Sequence, residues 1–123
     1  MKNNTLKTVL PSGSVEKHLY FEQVFQIIAQ IPYGKVTTYG AIANCLGTKS
    51  GARMVGWALK ASIQQPHSLP AHRVVNRQGL LSGKMHFATP TTMQTLLEKE
   101  GIVVENDQIV HFDRHFWNPA NAE

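Results

Sequence analysis

Acidic residues are missing from the middle of this chain: from Gln23 through Leu97 there is no aspartate or glutamate. The same span holds Lys35, Lys49, Arg53, Lys60, Arg73, Arg77 and Lys84, and acids return at Glu98, Glu100, Glu105, Asp107 and Asp113. A formal net charge of +4 is modest. Its concentration in one stretch is nevertheless the electrostatic footprint of a nucleic-acid binder, the plainer alternative being a solvated basic surface. Cysteine is nearly absent too. Cys45 alone excludes an internal disulfide and fits a reducing compartment. No apolar run reaches membrane-spanning length, and Val9 to Gly13 is too short for a signal-peptide core, so no membrane partner and a cytoplasmic location are expected. His18, His67, His86, His111 and His115 lack a compact ligand spacing, which leaves no expected metal or other cofactor. There is no internal repeat and no low-complexity tract.

What is present suggests one small domain of 123 residues. The stretch 1–17 is polar and broken by Pro11 and Gly13, and reads as a flexible leader; 18–119 form the domain and 120–123 a short tail. Phe21, Val24, Phe25, Ile28 and Ile31 recur at three- and four-residue steps, marking a first helix stopped by Pro32 and Gly34. Thr37 or Thr38 can cap a second helix from about Tyr39 to Leu46, with Gly47 ending it and Cys45 as a buried thiol. A third helix should span about Ala52 to Ser62, with Trp57 packed in the core. Helix, glycine turn, helix is a helix-turn-helix pattern, whose second member normally meets DNA. Val74-Val75 and Leu80-Leu81 suggest a short hairpin or wing around Asn76 to Gly79, and Thr89-Pro90 a helix start leading to Gly101. Ile102 to Val104 and Gln108 to Val110 flank Asn106-Asp107 as a terminal hairpin. The expected fold is mainly α with small β elements, a winged helix-turn-helix-like domain. Backbone amides near Thr38, Ser50, Gly51 and Ala52, at helix starts, are available to DNA phosphates.

Leu69-Pro70-Ala71-His72-Arg73-Val74-Val75 resembles the Pro-Cys-His-Arg-Val active-site motif of the O6-alkylguanine-DNA alkyltransferases, with alanine where the reactive cysteine stands. Ile31 to Gly40 is similar to that family's turn and helix start with a base-rotating tyrosine, and Ala52-Arg53-Met54-Val55-Gly56 to its intercalating-arginine helix. Gly79 to Lys84 resembles the pocket-closing loop, and Phe116-Trp117-Asn118-Pro119 the ending of alkyltransferase-like chains. The matches run in order from about Tyr20 to Pro119.

This resemblance implies the alkyltransferase DNA-binding domain fold and a non-catalytic, monomeric relative of methylated-DNA-protein-cysteine methyltransferase. Alkyl transfer needs an activated thiolate, which the methyl group of Ala71 cannot supply. It further implies Tyr39 and Arg53 as the base-flipping pair. The lesion pocket would be built from Pro70, Ala71, His72, Val74, Leu81, Ser82, Gly83 and Lys84, the lysine near the flipped base. With no thiol to activate, His72 and Glu100 are expected as a structural hydrogen-bond pair. The implied partners are double-stranded DNA containing O6-alkylguanine and, after handover, nucleotide excision repair proteins. The alternative is a winged-helix, sequence-specific DNA-binding regulator on the same scaffold. Its recognition helix would be a poor reading head, because Met54, Val55, Gly56, Trp57, Ala58 and Leu59 offer few polar groups to base edges.

Overall fold

The computed structural model describes residues 12–48, 51–63 and 69–121. Helix α1 (Ser12–Gln30) ends just ahead of Pro32, which has no amide to donate to a further turn. Val24, Ile27, Ile28 and the following Ile31 are buried, with Phe21 and Phe25 packed partly against them. The helix begins inside the stretch 1–17, so the boundary expected at residue 18 falls within a continuous helix. Gly13 sits in its first turn, where a glycine does not interrupt the hydrogen-bond ladder. Residues 1–11 of the expected leader lie outside the described residues.

A strand of two residues, β1 (Thr37–Thr38), runs directly into α2 (Tyr39–Cys45). Thr38 is the N-cap: its Oγ1 accepts from the Ala41 amide at 3.0 Å. Gly47 follows the helix with φ +77°, the left-handed turn expected there. Helix α3 (Ala52–Ile63) packs on both α1 and α2. It buries Val55, Ala58, Leu59 and Ser62, a stripe of three- and four-residue steps, which turns Arg53, Trp57 and Lys60 outward. Trp57 is therefore not a core residue. At 100° per residue it lies on the far side of the helix from Val55, and it is 49% exposed. Cys45 is exposed as well, since α2 turns Ile42 and Ala43 inward and its last residue away.

After a short 3-10 turn (Ala71–Arg73), β2 (Val74–Val75) pairs in parallel with β1, Thr37 opposite Val74 and Thr38 opposite Val75. This replaces the hairpin expected between Val74-Val75 and Leu80-Leu81. The Asn76 amide does reach the Leu80 carbonyl at 3.1 Å, but Leu80 bridges to Gln108. Both valines are fully buried, and an inner strand covered on both faces suits parallel pairing better than a solvated wing does. Helix α4 (Thr92–Lys99) starts a few residues after Thr89 and buries Met93 and Leu97. Strands β3 (Val104–Glu105) and β4 (Gln108–Ile109) form the expected terminal hairpin, with Asn106 and Asp107 both at positive φ as a type I′ turn requires. Helix α5 (Phe112–His115) then returns the chain to β1, where the Trp117 amide donates to the Val36 carbonyl at 2.7 Å. The result is a mainly helical fold with small β elements. One apolar cluster joins α1, α2, α3 and the Ala71 turn, and a second joins β2, α4 and the hairpin.

Gly51, just ahead of α3, is locked in place by its neighbours. A Cβ there would strike Thr48 Oγ1 and come within 2.6 Å of the Tyr20 hydroxyl. Those two hydroxyls are hydrogen-bonded to each other at 3.0 Å, and Thr48 also donates to the Ala43 carbonyl. Gly51→Ala should cost about 1–3 kcal/mol, the usual range for overpacking. Urea denaturation reads this as a lower midpoint, and an unchanged midpoint would contradict the packing described.

Candidate nucleic-acid interface

The outer face of α3 and the segment from Ser82 to His86 enclose an open cleft of about 570 Å³. From α3 come Arg53, Gly56, Trp57, Leu59 and Lys60; Tyr39, Ser82, Gly83 and His86 complete the lining. Tyr39 owes its place to the Thr38 cap, which fixes the first turn of α2. Burial raises the pKa of its hydroxyl, only partly offset by Ser82, whose Oγ lies 3.5 Å away. A side chain at position 83 would crowd that hydroxyl, with a Cβ 3.1 Å from it, so glycine permits the close approach of loop and ring. Arg53 lies in the first turn of α3 and is exposed, as a side chain that must reach into a partner would be.

A polar network is centred on Glu100, the residue that caps α4. Its side chain is only 6% exposed. The Gly34 amide donates to Oε1 at 2.7 Å, and Arg73 donates through Nε at 3.0 Å and through Nη2 at 2.8 Å. Arg73 Nη1 also donates to the Ile31 carbonyl at 2.7 Å, tying the end of α1 into the network. His72 Nε2 lies 2.7 Å from Glu100 Oε2. An ionised carboxylate only accepts, so Nε2 carries the proton and Nδ1 keeps its lone pair. Burial lowers the histidine pKa, outweighing the hydrogen bond and charge of Glu100, so the imidazole is neutral near pH 7. For Glu100, burial acts upward, but the hydrogen bonds from Arg73, His72 and Gly34 together outweigh it and hold the pKa down.

The sequence-expected site residues divide between these two layers. Tyr39, Arg53, Ser82 and Gly83 meet at the cleft. Ala71, Val74 and Leu81 are buried in the apolar clusters and form its foundation, not its wall. Pro70 and His72 are half-buried at the same turn. Lys84 lies outside the cleft lining and pairs with the hairpin, its Nζ 2.6 Å from Asp107 Oδ2, because the type I′ turn brings that carboxylate beside it. Of the expected phosphate contacts, Ala52 is exposed at the start of α3, whereas Gly51 is buried and Thr38 uses its hydroxyl as a cap. Ser50 lies outside the described residues. Trp57, Lys60 and His86 were missed as cleft residues. The buried stripe of α3 contains the signal for the first two, since positions 53, 57 and 60 are its complement.

A family model described as 6-O-methylguanine DNA methyltransferase, DNA binding domain, matches residues 20–102. The chain belongs to this family. It is 34% identical over 104 residues to alkyltransferase-like protein 1 of Schizosaccharomyces pombe, covering 81% of this chain and 95% of that one. It is 39% identical over 105 residues to the DNA base-flipping protein of Escherichia coli, covering 85% and 79%. Among solved structures it is similar to the S. pombe alkyltransferase-like protein in complex with damaged DNA containing O6-carboxymethylguanine. That match has a TM-score of 0.72 and 32% identity, covering 81% of this chain and 95% of the other. A Mycobacterium tuberculosis family member in complex with DNA matches with a TM-score of 0.57 and 32% identity, over 66% of this chain and 48% of that one.

Both pKa shifts in the network point the same way. Between its folded and unfolded values each group binds more protons in the unfolded chain, so stability rises with pH across that interval. The His72 contribution is complete above the ordinary histidine value of about 6.5 and declines as pH falls below it. That of Glu100 is complete above the ordinary carboxylate range and is lost at lower pH. Thermal melts from pH 8 to about pH 3 should fall in two stages, His72→Gln removing the upper and Glu100→Gln the lower. Glu100→Gln should also cost about 3 kcal/mol near neutral pH, by leaving Arg73 short of its buried partner. Parallel curves for all three proteins would show that the network does not set the pH response.

Proposed function

We infer that this protein is a non-catalytic sensor of O6-alkylguanine: it binds the lesion in duplex DNA, holds the base extruded in the cleft beside α3, and leaves the alkyl group in place. One observation carries this reading. A buried methyl group, Ala71, stands immediately before a fully formed His72, Arg73 and Glu100 network. In the alkyltransferases a cysteine at that place accepts the alkyl group, and a methyl group has no electron pair with which to do so. The names of the similar proteins, a base-flipping protein and an alkyltransferase-like protein in complex with damaged DNA, support the same reading.

In this reading each step has a residue suited to it. Extrusion costs a few kcal/mol, and least for a poorly paired base, so a lesion that weakens pairing is favoured before any contact with the adduct is made. Arg53 is long and cationic enough to enter the vacated space, and Tyr39 presses on the backbone beside it. Gly83 leaves the cleft open at the loop. Neutral His72, with no thiol beside it, holds its turn to Glu100 instead of moving a proton. A monomer that marks a lesion without repairing it needs another pathway to finish the work, and by family resemblance that pathway is nucleotide excision repair.

The test is equilibrium binding of one duplex with and without a single O6-methylguanine, at two salt concentrations, with the alkyl group labelled. The expected result is salt-sensitive binding, a clear preference for the lesion and no label on the protein. Arg53→Ala should weaken the lesion complex about tenfold, roughly 1.4 kcal/mol. Equal affinity for both duplexes would shift the reading to a sequence-specific regulator, and label on the protein would make it a repair enzyme.

A further inference from the structure

The indole of Trp57 has no part in the reading so far. It stands one helical turn from Arg53 on the face of α3 that lines the cleft. Packing does not require it there, because the buried stripe of the helix is complete without it. An indole is one of the largest apolar surfaces a chain can bury, and one left 49% exposed among charged groups has the character of a contact residue. Its surroundings are cationic: Lys17 Nζ lies 5.4 Å from the ring centroid, and Arg53 and Lys60 share the cleft wall. A flat aromatic face among positive charges captures a nucleotide well, the ring stacking on the base while the cations neutralise phosphate. A second copy of this chain would bring the same positive charge against itself, and an acidic peptide would leave the flat face unused.

The geometry points to Trp57 as the stacking surface for the extruded base. A base that leaves the duplex loses the neighbours above and below it, and the indole replaces one of them. As the nucleotide arrives, Lys17 exchanges the ring for a phosphate. This rests on the sensor reading above and adds to it a specificity-determining side chain: stacking on the extruded base strengthens the lesion complex and leaves binding to intact duplex alone.

Lesion and undamaged duplexes titrated against wild type, Trp57→Phe and Trp57→Ala test it, with thermal melts to show that all three fold alike. For the lesion duplex, Trp57→Ala should bind about tenfold more weakly. Its affinity for the undamaged duplex should be nearly unchanged, and Trp57→Phe should keep most of the preference. Indole emission should fall on lesion binding in wild type and hardly change in Trp57→Phe, which retains only Trp117. Full lesion preference in Trp57→Ala would overturn the inference and leave the sensor reading standing. Equal losses on both duplexes would also overturn it, placing the indole against the duplex itself. A wild-type protein without lesion preference would remove the sensor reading and this inference together.

Discussion

The carboxylate of Glu100 joins parts of the chain that lie as far as 66 residues apart. Gly34 from the turn before β1, His72 and Arg73 from the turn before β2, and the end of α4 all meet at its two oxygens. A buried carboxylate without partners would be prohibitively costly, so it persists only because so many donors converge on it. Once they do, the arrangement is over-determined. Moving Gly34 disturbs the lead into β1, and moving Arg73 releases the Ile31 carbonyl at the end of α1. The parallel pairing of β1 with β2 then aligns Thr38, the cap of α2, with Val75. Tyr39 is thus placed at the cleft by a chain of contacts that begins at Glu100.

This arrangement separates support from recognition. The Ala71 to Val75 segment, which carries the resemblance to an alkyl-accepting site, is buried support, while the exposed cleft above is lined by side chains that can meet a ligand. Ala71 is buried and takes no part in the lining of the cleft, so the side chain at position 71 does not shape that surface. The polar network ties the turn of Ala71 to Arg73 to the end of α1 and the start of β1. The concentration of positive charge follows the same division. Arg53 and Lys60 face the cleft, whereas Lys84 is neutralised by Asp107 on the hairpin.

Periodicity made the helices legible in the sequence, because apolar spacing, proline stops and glycine caps act over a few residues. Asn106-Asp107 likewise identified the terminal hairpin. The partner of β2 was not legible: Val74-Val75 is as compatible with a neighbouring hairpin as with Thr37-Thr38, and only the competition for burial decides. The ion pair of Lys84 and the exposure of Trp57 went unseen for different reasons. Lys84 is captured by a carboxylate that is distant in sequence, and no local pattern announces such a pair. Trp57 was readable from the buried stripe of α3, but large aromatic character outweighed helical phase in the expectation. The pairing of His72 with Glu100 was legible through the resemblance alone; its further bonds to Arg73 and Gly34 needed three dimensions.

Everything proposed for the cleft beside α3 requires that the lesion base leave the stack. A duplex with 2-aminopurine adjacent to O6-methylguanine reports this directly, since the probe brightens when its neighbour is withdrawn. Emission should rise on addition of protein and saturate with binding, with no such rise on the matching undamaged duplex. Saturated binding to the lesion duplex with no change in emission would mean that the base stays stacked, and would contradict the account.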